Sequence, residues 1–170
     1  MKQNPSRLAI AFAFGACALA GCAWFSTDGG LGTVEQLTRE RAGQAPTYQR
    51  TTGEAESAQA RVAVLLEQPL TADIAVEIAL LNNRALQGSL AELGIAEADL
   101  VRAGRLANPS FSFGRLSGGG IVQIDRAVLF DLLGLLTMPA ARQLEQARFE
   151  QVQLHAAQAA VGIAAAARRA

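Results

Sequence analysis

Asn108-Pro109-Ser110-Phe111-Ser112-Phe113-Gly114-Arg115-Leu116-Ser117-Gly118-Gly119-Gly120-Ile121-Val122-Gln123-Ile124-Asp125-Arg126-Ala127-Val128-Leu129-Phe130 is the stretch on which the fold turns. Asn108-Pro109 stops a helix, because proline lacks the amide hydrogen and disfavours helix in the residue before it. Ser110 to Phe113 alternate small polar with aromatic, the period of a strand that continues to Leu116. Ser117-Gly118-Gly119-Gly120 reads as a turn. A phosphate cradle is the other meaning of a glycine run, but neither a Lys-Ser/Thr pair nor a strand-to-helix change follows. Ile121 to Phe130 reads as a second strand, with Val122, Ile124, Val128 and Phe130 on one face and Gln123 and Asp125 on the other. Arg126 falls on the apolar face. Either it lies at a membrane rim or a bulge shifts the register there.

On both sides of this pair the period changes to that of helices. Before it, Ile74, Ile78, Leu81 and Ala85 step by 4, 3 and 4, and Leu86, Leu90, Leu93, Ala96 or Glu97, Leu100 and Ala103 continue on a neighbouring stripe. Thr71 suits the N-cap, and Asp73 and Glu77 suit the positive helix start. One helix is expected from Thr71 to Leu106, about 54 Å long at 1.5 Å per residue. Gly88, Gly94 and Gly104 weaken it but permit close approach of another helix. Asn82-Asn83 reads as a polar break in the seam. After the pair, Asp131 to Thr137 is a leucine-rich connection, and Pro139 suits the first turn of a new helix. Phe149, Val152, Ala156, Ala159, Ile163 and Ala166 keep a heptad, and Leu144, Ala147, Gln151, Leu154, Gln158, Val161 and Ala165 keep a second one. Two seams let one helix pack on neighbours at both sides.

The first residues read as an address. Lys2 and Arg7 precede an apolar run from Leu8 to Leu19, the layout of a secretory signal over residues 1–21. Leu19-Ala20-Gly21-Cys22 resembles a bacterial lipobox, which implies cleavage before Cys22 and a diacylglyceryl group on its thiol. Such chains anchor a protein at about 0.8 kcal/mol per buried methylene. A plain signal, or an anchor helix running to Phe25, is the other reading. Ala23 stands where an aspartate often retains lipoproteins at the inner membrane, which favours the outer one. Residues 23 to about 53, rich in Gly, Thr, Gln and Ser, then read as a tether with little fixed structure, and one short helix from Glu54 to Glu67, stopped by Pro69, completes a lipid-anchored segment over residues 22–70.

Composition excludes more than it selects. The chain has 170 residues and 51% hydrophobic ones, but only 5% aromatics. Alanine supplies much of the apolar count, which favours thin, closely packed helices over a thick core. Without Lys2 and Arg7, 15 bases become 13 against 15 acids, a net of −2. No basic excess draws in nucleic acid. One His and two Cys make no His/Cys metal cage. No nucleophile and base set appears, so neither an enzyme nor a cofactor is expected, apart from the covalent lipid on Cys22. His155 reads as a helix-surface residue. Asp125 and Asp131 are candidate pore-lining carboxylates or simply solvated ones. Phe111 and Phe113 are candidate lipid-facing residues.

The expected fold class is therefore α+β: long helices, hairpin-like and of coiled-coil character, flanking a β-hairpin. One hairpin is marginal alone, and closed barrels are the only β solution inside a bilayer. The pair thus asks for strands from other copies. Pro69-Leu70-Thr71, Ala75-Val76-Glu77-Ile78-Ala79-Leu80-Leu81-Asn82-Asn83, Leu86-Gln87, Ala96-Glu97-Ala98-Asp99-Leu100, Asn108-Pro109-Ser110-Phe111 and Phe130-Asp131-Leu132-Leu133, with Pro139 and Arg142, resemble the TolC-type outer membrane efflux family. The likeness is to lipoprotein members serving pumps of the resistance-nodulation-division type. It implies that residues 71–170 are the first helix-strand-strand-helix repeat of a duct whose three protomers share one outer-membrane barrel. A second repeat is missing from the chain, which reads as an N-terminal fragment. The implied partners are outer-membrane lipid, two further copies, a periplasmic adaptor and an inner-membrane pump. The implied work is passive export of drugs or metal ions. A structural periplasmic coiled-coil lipoprotein without a pore is the alternative.

Overall fold

The computed structural model describes residues 24–118 and 121–170. The signal over residues 1–21, Cys22 and the middle of the glycine turn lie outside the described residues. The described elements run α1 (Leu31–Ala42), α2 (Thr52–Leu66), α3 (Ala72–Asn82), α4 (Arg84–Ala103), β1 (Ser110–Gly118), β2 (Ile121–Leu129) and α5 (Leu132–Arg169). They are mixed helix and a two-stranded antiparallel sheet, so the α+β class holds. Two compact units form. One comprises Phe25–Leu100 with Gln143–Ala170, and the described part of the other is Trp24 with Val101–Arg142.

The helical unit holds a continuous core. Val34 and Ala42 of α1, Val76 and Leu80 of α3, Leu86, Leu90 and Leu93 of α4, and Ala156, Ala157, Ala160 and Ala164 of α5 pack together. The chain directions of α3–α4 and α5 are opposed here: Arg168 reaches Asp73 at 3.5 Å, near the start of α3. Alanine across from leucine lets the backbones approach closely while the leucines fill the space.

Residues 24–50 are not a loose tether, which corrects the sequence reading. Val34, Thr38 and Ala42 lie one turn apart and are all buried, and Thr38 Oγ1 donates to the Val34 carbonyl at 2.7 Å. The Gly-Thr-Gln composition hid a helix whose apolar stripe is short and made of small residues. Its ends are set by punctuation. Gly43 takes the left-handed conformation at the C-terminus and donates its N–H to the Arg39 carbonyl at 2.9 Å. The Arg168 guanidinium donates to the Ala42 carbonyl at 2.7 Å, satisfying one of the carbonyls a helix end leaves unpaired.

The long helix expected from Thr71 to Leu106 is two helices. Asn83 has an extended ψ of 108° and ends α3. Its Oδ1 accepts the Leu86 N–H at 3.0 Å and so caps α4. The Leu81 carbonyl freed by the break accepts from Gln49 Nε2 at 2.7 Å. Gln87 holds the segment around Gln49 twice more, donating to the Thr47 carbonyl and accepting from the Gln49 N–H, both at 2.9 Å. A Cβ added at Gly88 or Gly94 would meet no atom of the described residues within 4 Å.

α2 starts on a capping box: Thr51 Oγ1 accepts the Glu54 N–H at 3.2 Å, and Glu54 Oε2 accepts the Thr51 N–H at 2.9 Å. At the other end of the chain, α5 begins at Leu132, which corrects the expected connection over Asp131 to Thr137. Asp131 Oδ1 caps it by accepting the Gly134 N–H at 2.7 Å. Pro139 consequently lies inside the helix. It leaves the Leu135 carbonyl without its intrahelical donor.

Candidate functional site

Two features are left over when packing has been accounted for: the exposed hairpin and a strap at the N-terminal edge of the helical unit.

The hairpin pairs without interruption. Ser110 faces Leu129, Phe111 faces Val128, Phe113 faces Arg126, Arg115 faces Ile124 and Ser117 faces Val122. No bulge interrupts the register at Arg126, so that alternative is removed. Directly opposed residues share a face. One face therefore carries Phe111, Phe113, Val122, Ile124 and Val128 together with Arg115 and Arg126. The other carries Ser110, Ser112, Gly114, Gln123, Asp125 and Ala127, with Leu116 and Leu129. Among the described side chains of the pair no apolar one is buried: Phe111 is 68% exposed and Phe113 61%, against 0% for Leu86 and Leu90 in the helical core. Phe130, Leu132, Leu133 and Leu136 are exposed as well. A contiguous apolar surface of this kind is uncommon on a monomer and marks a contact with lipid or protein.

The strap is built around a buried carboxylate. Glu97 is 5% exposed on the apolar side of α4. It accepts the Ser26 N–H at 2.6 Å and also the Ser26 hydroxyl. Four residues later Gly30 takes φ 77°, a conformation glycine adopts without penalty. A Cβ at Gly30 would collide with the Phe149 ring. Gln153, buried on α5, donates to the Gly30 carbonyl at 3.0 Å. Asp28 sits between these bonds and accepts from Gly30 N–H at 3.1 Å and Gly32 N–H at 2.8 Å. The Gly32 amide and then the Gly30 amide hold its carboxyl below the usual carboxylate range. The segment just after Cys22 is thus pinned to the last turns of α4, the helix that leads into the hairpin.

The sequence candidates fare unevenly. Phe111, Phe113 and Arg126 share one face of the hairpin. Asp125 lies on the opposite face and accepts from Gln123 Nε2 at 3.1 Å. Asp131 is a helix cap. His155 is exposed on α5. Among the described residues no group of three His, Cys, Asp or Glu is placed to hold a metal, and no helix is long and apolar enough to cross a membrane. Ser26 and Gln153 were missed. Glu97 had a legible signal, a charged residue at a core position of an apolar stripe.

No family model, curated protein or solved structure matches the chain. Functional assignment therefore rests on its residues and the order of its elements.

Proposed function

We propose that the chain is a lipid-anchored component of an outer-membrane efflux duct of the TolC type, contributing its hairpin to a barrel shared with further copies and its helices to a periplasmic extension. The observation that carries this reading is the uncovered apolar face of a two-stranded sheet, beside a helical unit with a continuous buried core. A sheet with unpaired edges and an apolar face is unstable in water and unsuited to lipid until its edges are closed. Strands of neighbouring copies would supply the closure. The helices leave matching room: Leu144 and Leu154 of the second α5 stripe are exposed, and Gly88 and Gly94 face open space.

Cys22 is the proposed lipidation site, with the anchor in the outer membrane. Residue 22 lies four residues before Ser26, so the anchored end reaches at most roughly 14 Å from the Glu97 latch. In this assembly the duct is passive: a periplasmic adaptor and an inner-membrane pump supply the driving force, and drugs or metal ions are the cargo. Arginine on the lipid face would cost about 2–4 kcal/mol at the bilayer midplane and about 0–1 near its surface. Arg115 and Arg126 flank the central Gly114–Asp125 pair of the strands, so in this assembly neighbouring strands must offset that cost.

Single cysteines placed from Ser110 to Phe130 test the reading in membranes. Alternating reactivity toward an aqueous thiol reagent is expected, with positions 111, 113, 122, 124 and 128 protected. Uniform reactivity would favour the poreless periplasmic coiled-coil lipoprotein. Cys22→Ser should abolish fatty-acid labelling, and unchanged labelling would refute the anchor.

A further inference from the structure

We propose that the cleft beside the strap binds an α-amino acid with a large apolar side chain, held as a zwitterion between the Glu97 carboxylate and the Arg50 guanidinium. The site lies wholly within the helical unit, and it does not depend on the membrane reading above.

The cleft has a volume of about 430 Å³. Phe25, Leu31, Tyr48, Leu90 and Leu93 give it an apolar lining. One charged group of each sign borders it. Glu97, only 5% exposed, offers Oε1 to both Ser26 donors. Among the described residues no hydrogen bond engages Oε2, and no unpartnered side-chain oxygen is sealed from solvent, so Oε2 opens into the cleft. Arg50 donates from Nη2 to the Asp28 carbonyl at 2.6 Å and lies over the Tyr48 ring at 5.4 Å. None of the ion pairs among the described residues involves it. Gly29 stands between the two groups. A Cβ there would lie 3.2 Å from Arg50 Nη2 and 3.9 Å from Glu97 Oε2. Glycine, at φ 67°, keeps that space open.

The lining narrows the choice of occupant. A carboxylate lipid would meet Oε2 as a like charge. An amine would satisfy Oε2 but set a second cation beside Arg50. A sugar would leave polar groups against Leu90, Leu93 and Phe25. A zwitterion answers both charges. Its ammonium donates to Oε2, its carboxylate accepts from the guanidinium fork, and an apolar side chain covers the leucines. Ligand pockets run from about 300 to 1,000 Å³, so this volume suits an amino acid better than a drug-sized molecule.

Calorimetric titration of the full chain in detergent micelles, corrected for heats into empty micelles, tests the site with L-phenylalanine as the probe. Phenethylamine lacks its carboxylate, and N-acetyl-L-phenylalanine lacks its ammonium. L-Phenylalanine should bind saturably, and each analogue at least about tenfold more weakly. Glu97→Gln keeps an acceptor for Ser26 and removes the charge, and should weaken L-phenylalanine about tenfold. Arg50→Gln should weaken L-phenylalanine by a similar factor and leave phenethylamine no weaker, a split that loss of fold would not produce. Glu92→Gln, exposed on α4 outside the cleft, should change neither. No saturable binding of L-phenylalanine, equal binding of the three compounds, or wild-type affinity in Arg50→Gln would each overturn the proposal and leave the efflux reading untouched. If Glu97→Gln fails to fold, Arg50→Gln and the two analogues decide.

Discussion

The helical unit and the hairpin spend apolar residues in opposite ways. In the first, leucines of α4 meet alanines of α5 and vanish from solvent. In the second, phenylalanines, valines and leucines of similar or greater bulk stand uncovered. Burial of apolar area is the main term in folding. The helical unit therefore carries the chain's stability in water, and the hairpin contributes little until something covers it. An element that does not support its own fold is better explained by what it joins.

That contrast can be broken by mutation. Leu90→Ala, at a fully buried site, should lower unfolding free energy by about 2–5 kcal/mol in a denaturant titration. Phe113→Ala removes a larger side chain and should change it by less than about 1 kcal/mol in the absence of lipid. Equal effects would mean that the hairpin is packed in water after all. Gly30→Ala comes next. It forces a left-handed residue and drives a methyl into Phe149, for a loss of about 2–4 kcal/mol. Glu97→Leu should be smaller, about 1–3 kcal/mol, since it leaves the Ser26 N–H without its acceptor. Its sharper readout is local: hydrogen exchange at Ser26 and Gly30 should accelerate while that of Leu86 and Leu90 holds.

The smallest effect is electrostatic. Asp28 and Glu54 both have carboxyls held low, Asp28 by the Gly32 and Gly30 amides, Glu54 by the Thr51 and Arg50 amides. Depressed carboxyls bind protons less readily in the folded state than in the unfolded one. Their stabilisation is complete above unfolded values near pH 4 and fades as pH falls through the lower folded values. Unfolding midpoints measured from pH 7 down to pH 3 should decline below about pH 4, and less so in D28N and E54Q.

Much of the architecture was legible because its signals are local. The alternation from Ser110, the glycines after Ser117 and the three-four spacing of Phe149, Val152 and Ala156 each specify an element without tertiary help. The breaks were harder. Asn82-Asn83 showed as a polar interruption, but the closing of α3 depends on Gln49 and Gln87, which belong to a distant segment. α1 escaped notice because Val34, Thr38 and Ala42 form a thin stripe among polar residues. Asp131 reads in the sequence as a pore-lining or simply a solvated carboxylate, and its offset to Gly134 makes it a cap. The strap was hidden for the same reason as the break: Ser26 with Glu97, and Gly30 with Gln153, are pairs of residues far apart in the chain whose meeting no periodicity announces.

In the proposed assembly the hairpin's edges are closed by other strands in lipid. Backbone hydrogen exchange across Ser110–Ser117 and Val122–Leu129, with the full chain in liposomes and again in lipid-free buffer, addresses it most directly. In an isolated pair, every second amide points outward and is unprotected. These outward amides should become slow by at least about a hundredfold in liposomes and stay fast in buffer. Outward amides that remain fast in both would leave a two-stranded hairpin with open edges, and the barrel reading would be wrong.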